Sequence, residues 1–482
     1  MTKKSVKKNY IYNLAYQILL VIVPFATIPY LSRILGVANI GINSFTLSIV
    51  SYFVMLANIG VWSLGQREIA LHQDDRKAYS KIFWDLFSFQ TIVGIISILT
   101  YAIYVTFFGR YPNVQWIMII NIIAAVVDMA WFYCGLEEYR YISIRNIFIK
   151  LSSVAAIFAF VHTEDDLPIY VLINSLSLLI SSALLWIKFP KVADKPVLKE
   201  IRIFKYWKDS IIYFLPQVAT SIYTVLDKTM LGFIINSEAE NGYYEQTYKI
   251  IQLCLILITS LNAVIAPRMA FLYGKGKKKE MQDRMKTSFH FIYLIAFPII
   301  FGLIAIGPAF SAVFFGDGYE KVQTLLPLFA PIVLIISVSN CIGGQFLVPI
   351  GKRIQTAAYL WLGAGVNIVC NLIFIPMYAS HGAAIGSIIA ELVITICYIN
   401  MLKKYMSLNN VFKPMLNYFL SGVFMFIVLM LINHFWPDGS LLAVVLKIAC
   451  GAVVYFAVLL LILRDGFLIS EAEKTLGKII RR

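Results

Sequence analysis

The stretch Pro24–Phe45, PFATIPYLSRILGVANIGINSF, closes an apolar run that begins near Tyr10, yet it carries two prolines five residues apart, an arginine, and two glycines five residues apart. Each proline removes a backbone donor and presses on the preceding turn, so the pattern predicts a first span that bends at Pro24 and Pro29. Pro216 is placed to do the same in the seventh span. Such interruptions are better tolerated in membrane helices than in water-soluble ones.

Composition agrees with a membrane solvent. Of the 482 residues, 60% are hydrophobic and only 14% charged, with a mean hydropathy of +0.78. An ordinary soluble domain is about half apolar and about a quarter charged. Runs long enough to cross a bilayer recur along the whole chain. They divide it near 10–32, 40–65, 80–107, 114–136, 146–162, 167–187, 209–235, 242–267, 288–315, 323–350, 354–377, 381–402, 413–435 and 441–463. The fold class expected is therefore all-α and polytopic, with about fourteen transmembrane helices.

Cytoplasmic loops are enriched in Lys and Arg. Of the 41 such residues, Arg110 and Lys321 fall in loops that an N-inside arrangement places outside, and Arg33, Lys228, Lys249 and Lys447 fall within or at the edge of spans. The rest count on the inner side, whereas the outer loops HTEDDLP (His162–Pro168) and NSEAEN (Asn236–Asn241) are acidic. Both termini are expected in the cytoplasm. The net charge of +15 then reflects topology, and basic runs such as GKGKKKE (Gly274–Glu280) imply no nucleic acid. The six cysteines lie in or beside spans without paired spacing, so neither disulfides nor a metal is indicated. No phosphate loop and no H-E-x-x-H motif is present, and the reading is not that of an enzyme.

An internal repeat sharpens the class. Gly41–Arg67 and Gly242–Arg268 align over 27 residues, with Thr46 on Thr247, Ile49 on Ile250 and Leu56 on Leu257. Each follows a Leu-Gly pair, Leu35-Gly36 and Leu231-Gly232, and each precedes a basic loop. Six-span repeats facing the same way are one of the transporter architectures. The domains expected are a six-helix lobe at 1–190, a basic linker at 191–208, a second six-helix lobe at 209–405, and two further helices with a tail at 406–482.

The opening stretch, continued by SYFVMLANIGVWSLGQREIA (Ser51–Ala70), resembles the start of bacterial polysaccharide repeat-unit flippases, the O-antigen and capsule group of the multidrug/oligosaccharidyl-lipid/polysaccharide superfamily. A second block, LVPIGKRIQTAAYLWLGAGVNIVCNLIFIPMYASHGAAIGSIIAE (Leu347–Glu391), is similar to that family's eleventh and twelfth spans, including Asn367, Asn371, Pro376 and the Gly382/Gly386 pair. The resemblance implies alternating-access transfer of an undecaprenyl-diphosphate-linked oligosaccharide, with a polysaccharide polymerase and glycosyltransferases as functional partners. The alternative that shares the fold is an ion-coupled multidrug exporter of the multidrug and toxin extrusion type.

A glycan crossing a bilayer loses water hydrogen bonds at several kcal/mol each unless a wet cleft receives it, and a diphosphate asks for cations. The candidate substrate contacts are Arg33, Arg67, Lys249 and Arg268, with Glu245 one turn from Lys249 as its partner. A second set, Asp227 beside Lys228, Asn367 and Asn371 at four-residue spacing, and Glu391, supplies oxygen ligands suited to coupling with a Na⁺ or H⁺ gradient. Asp128 in the fourth span has no evident partner. No cofactor is expected.

Overall fold

The computed structural model describes residues 6–259 and 262–470, with side-chain placement for these except residues 6–15, 216, 220, 222–224, 262–264 and 410. Every regular element among the described residues is helical. The chain divides into two compact units, Met1–Gly242 and Tyr243–Arg482.

In the first unit, α1 (Val6–Asn58) runs for 53 residues and covers both of the first two expected spans. Its backbone stays helical through Pro24 and Pro29 and leaves helical geometry only at Gly36, with φ 71° and ψ 168°. That conformation is open to glycine and closed to side chains with a Cβ, so the break falls seven residues beyond the second proline. The one residue of α1 outside helical φ/ψ is thus Gly36 and neither proline, and Pro216 lies outside the described side chains. α2 (Val61–Leu71) follows after Gly60, whose φ is 78°. α3 (Arg76–Phe108) starts on an Asp75 cap that accepts from the Lys77 and Ala78 amides at 3.0 and 3.1 Å.

The fourth span is broken in two, α4 (Pro112–Val127) and α5 (Ala130–Gly135). Gln90 stabilises the break by donating to the carbonyls of Ala125 and Asp128 at 2.7 and 3.1 Å. α6 (Tyr139–Phe160) and α7 (Leu167–Val192) complete a bundle around a core that includes Ile40, Phe45, Tyr101, Met118 and Ile122.

The stretch expected as a linker at 191–208 is docked on α3. Asp194 accepts from Arg76 Nε at 2.8 Å, its carbonyl accepts from Trp84 Nε1 at 2.9 Å, and the Arg202 amide donates to buried Asp85 at 2.7 Å. α8 (Trp207–Ile234) belongs to this first unit, although the sequence division put it in the second lobe. It is held to α1 by Thr229, whose hydroxyl meets Ser48 at 2.8 Å and Tyr52 at 3.1 Å, and by Ser210, which donates to the Ile59 carbonyl. The unit ends with the first residues of α9 (Glu238–Thr259).

That end of α9 crosses α1 closely. A Cβ on Gly41 would overlap the Glu238 carbonyl and approach the Gly242 amide to 2.9 Å, and one on Gly242 would overlap the Val37 carbonyl. The two glycines that open the aligned repeats therefore meet in the folded chain.

The second unit holds the rest of α9, α10 (Asn262–Gly274), the 38-residue α11 (Lys278–Phe315), α12 (Glu320–Phe329), α13 (Ile332–Asn340), α14 (Arg353–Tyr378), α15 (Ser380–Leu402), α16 (Asn409–Phe412), α17 (Met415–Phe435) and α18 (Leu441–Ala457). α12 and α13 are bent by 42° and continue into a π-helical turn, Cys341–Leu347. At the base of the unit, His290 meets the Tyr418 hydroxyl at 2.8 Å, and that hydroxyl donates to Asp465 at 3.3 Å.

Ten described helices are long and apolar enough to cross a membrane, or eleven if the bent pair counts as one span. The chain is a multi-pass membrane protein. Fourteen separate spans are not reproduced by this measure, because α1 is counted once and because α8 and α9 carry charges within their length, among them Asp227, Lys228, Glu245 and Lys249.

Candidate functional site

The cations selected from the sequence lie on surfaces or in local pairs. In the first unit Arg33 is exposed and donates to the Pro29 carbonyl at 3.1 Å, and Arg67 pairs with Glu68 at 2.8 Å with 57% of its side chain exposed. In the second unit the guanidinium of exposed Arg268 lies over the Phe271 ring at 5.0 Å, and Lys249 pairs with Glu245 at 3.4 Å across one helical turn.

Two cations that the sequence reading counted with the inner-side charges lie inside the first unit. Arg145 is partly buried on α6 and each of its three nitrogens is engaged: its Nε and Nη2 donate to Asn146 Oδ1 at 3.1 and 2.7 Å, and its Nη1 donates to the Ser181 carbonyl at 2.9 Å. Asp128 lies within electrostatic reach of it and accepts from the Ala130 amide at 3.2 Å, which gives that acid a place at the α4–α5 break. Lys150 stands five residues further along, about 16 Å into a helix that rises 1.5 Å per residue. It is partly buried, and its ammonium has no hydrogen-bond or ion-pair partner among the described residues.

Lys150 lines a half-open cavity of about 360 Å³ between α1, α4, α6 and α7. The walls combine apolar Leu20, Leu47 and Met118 with amides and hydroxyls, including Asn43, Asn121, Asn174 and Ser175. The Oδ1 of Asn121, a residue 8% exposed, has no hydrogen-bond partner among the described residues. Amides and hydroxyls both donate and accept, as the hydroxyls of a sugar do. A lysine mid-way through a span would have been the signal for this site in the sequence, since such a charge costs about 2.5–3.5 kcal/mol on insertion scales and is retained where it has work to do.

Comparison with known proteins decides the family. The family model described as "Polysaccharide biosynthesis protein" matches residues 6–272, more than half of the chain. The chain belongs to that family. A relative from Escherichia coli (strain K12), whose name reads "Putative O-antigen transporter", is 22% identical over 400 residues, covering 82% of this chain and 95% of its own. Among solved structures, "Lipid II flippase MurJ, inward closed conformation" superposes with a TM-score of 0.74 at 14% identity, covering 95% of this chain and 99% of that one. An inward-facing multidrug resistance MATE family transporter of the MOP superfamily superposes at 0.61 and 12% identity, over 82% of this chain and 99% of that one. At these identities the two structures establish the fold alone.

The acid and amide set of this polysaccharide biosynthesis protein divides between the units. Asp227, 2% exposed, belongs to the first unit, within electrostatic reach of the Tyr52 hydroxyl. It does not share a lobe with the other three, as the sequence grouping had it. In the second unit Asn371 Nδ2 donates to Asn367 Oδ1 at 3.2 Å, and both residues are fully buried. A Cβ on Gly386 would overlap Asn371 Oδ1 and one on Gly363 would overlap Ile394, so α14 and α15 are in close contact and Asn367 lies level with Ala390. Glu391, 6% exposed, lies near Ser339 of α13, whose hydroxyl donates to the Ile336 carbonyl at 3.2 Å. One turn on, the Thr395 hydroxyl donates to the Ile335 carbonyl at 3.3 Å. Sequence spacing put the two asparagines on one face correctly, but it did not reveal Ser339, which lies on a different helix more than fifty residues away.

Proposed function

We infer that this membrane protein is a flippase that translocates a lipid-linked oligosaccharide for surface polysaccharide assembly, and that it is a transporter with no catalytic step of its own. Membership of the polysaccharide biosynthesis family carries this reading, and the polar cavity of the first unit supports it, since glycan hydroxyls are met there by amides and hydroxyls in the depth of a membrane bundle. We further propose that the lipid is of the undecaprenyl-diphosphate type, that the membrane is the cytoplasmic one with both termini inside, and that a polymerase and glycosyltransferases act before and after it. Arg33, Arg67, Lys249 and Arg268 are proposed contacts for the diphosphate. Asp227, Asn367, Asn371 and Glu391 are proposed to couple transport to a Na⁺ or H⁺ gradient.

The test is depletion of the protein in cells that depend on it. Lipid-linked repeat units should accumulate on the inner leaflet while surface polysaccharide falls. The full chain should restore both, whereas Arg33→Ala, Arg67→Ala and Arg268→Ala should restore them more slowly. Unchanged surface polysaccharide after depletion, together with a gain in drug sensitivity, would favour the multidrug exporter reading instead.

A further inference from the structure

We propose that the cavity around Lys150 is a recognition site for the carboxylate of an acidic sugar in the glycan headgroup, so that the protein prefers uronate-type repeat units to neutral ones. The proposal rests on the flippase reading above. Four features of the cavity converge on this ligand.

Lys150 is the cation of the site, and no aspartate or glutamate lines the cavity. Arg145, the neighbouring cation on the same helix, already has its fork on Asn146 and the Ser181 carbonyl. Among the described residues no acid answers the Lys150 ammonium, which leaves it available to an anionic ligand. The buried Asn121 amide supplies the second observation, because this residue lines the cavity and its side-chain carbonyl oxygen has no donor among the described residues. A sugar hydroxyl provides the missing donor, and an inorganic anion does not.

The size is appropriate. About 360 Å³ lies at the small end of the 300–1,000 Å³ usual for small-molecule sites, enough for one sugar of a repeat unit and too little for the whole oligosaccharide. Charge balance then selects among anions. One ammonium and one carboxylate make a neutral pair mid-membrane, whereas a diphosphate would leave excess negative charge at a depth where uncompensated charge is costly. A diphosphate is also matched better by an arginine fork than by a single lysine.

The experiment uses the full chain in two formats. In detergent, thermal stability is measured with a soluble disaccharide containing a hexuronic acid and with its carboxyl-reduced counterpart. The acidic sugar should raise the midpoint for the wild type and for Lys150→Arg, and should fail to do so for Lys150→Gln; the reduced sugar should act alike on all three. In proteoliposomes, transfer of a polyprenyl-diphosphate-linked glycan bearing the same uronate should fall about tenfold in Lys150→Gln, while the carboxyl-reduced version should be transferred as by the wild type. Asn121→Leu should weaken transfer of both. Equal loss of both lipid-linked probes in Lys150→Gln would assign the lysine to the diphosphate and overturn the proposal. Stabilisation of Lys150→Gln by the uronate as large as that of the wild type would also overturn it. Because the detergent measurement does not require transport, a wild type that binds the uronate but moves no lipid-linked probe would count against the flippase reading and leave the acidic-sugar site standing.

Discussion

Adding a single methyl group at Gly41 places it on the Glu238 carbonyl, at the crossing of α1 with the first turn of α9. Nothing there can yield by rotating a side chain, since the obstacles are the backbone of Glu238 and the amide of Gly242. The helices must separate, and overpacking of this kind costs about 1–3 kcal/mol. On the N-inside topology the crossing lies at the outer end of the unit. If it opens during the transport cycle, the penalty falls on the closed form alone and moves the closed-to-open ratio by about 5- to 150-fold. Gly41→Ala should therefore raise the rate at which a cysteine at half-buried Ser237 reacts with an impermeant thiol reagent from outside, in a background without other cysteines. Gly242→Ala, which would overlap the Val37 carbonyl, should do the same. Gly365→Ala is the control, because a Cβ there meets no atom within 4 Å. Reaction rates at Ser237→Cys that are unchanged in both crossing variants, with thermal stability also unchanged, would refute the claim that this contact is tight and limits opening.

Two other predictions follow from the polar contacts. Tyr111 donates to Glu238 at 2.6 Å, which holds that carboxyl below its ordinary range, while burial followed by the same bond pushes the tyrosine up to about 12. A depressed acid contributes stability above the ordinary carboxylate value of about 4.3 and loses it as pH falls through the lowered one. The melting difference between the wild type and Tyr111→Phe should accordingly be flat from pH 6 to 10 and shrink below pH 4; a difference that persists at pH 3 would contradict it. Glu391→Gln and Asp227→Asn should leave the protein in the membrane but remove the dependence of transport on a Na⁺ or H⁺ gradient, measured in proteoliposomes with imposed gradients; wild-type transport indifferent to both would remove the premise.

The apolar runs made the helical membrane fold legible, because few arrangements other than spanning helices can bury them. The breaks were harder to read. Proline announces itself in a sequence, yet Pro24 and Pro29 keep helical φ/ψ and the backbone leaves the helical region at Gly36, where only the backbone angle shows that glycine is needed. The basic composition of 191–208 reads as a linker between lobes. Those polar groups are spent instead on α3, through Arg76, Trp84 and Asp85, and α8 stays with the first unit. Of the candidate site, the Asn367–Asn371 pair and the Glu245–Lys249 pair were visible as four-residue spacings on single helices. Apolar composition starts the fifth span at Asn146 and so leaves Lys150 near its edge. The helix begins at Tyr139, two turns earlier, and that puts the charge at mid-depth.

The charges of α6 also bear on how the chain is made. Its most apolar window has a mean hydropathy of 1.5, the lowest of the ten candidate spans, and Arg140, Arg145 and Lys150 recur along it at five-residue intervals. A leucine or isoleucine near the helix centre contributes about −0.3 to −0.6 kcal/mol to insertion, and a lysine or arginine there costs about 2.5–3.5. On that balance α6 is a poor candidate to leave the translocon alone. The segment that satisfies Arg145, at the Ser181 carbonyl, lies on α7, and only residues 161–166 separate the two helices. During synthesis α6 is thus expected to wait at the lateral gate until α7 emerges, so that the pair enters the lipid as a hairpin with its arginine already partnered.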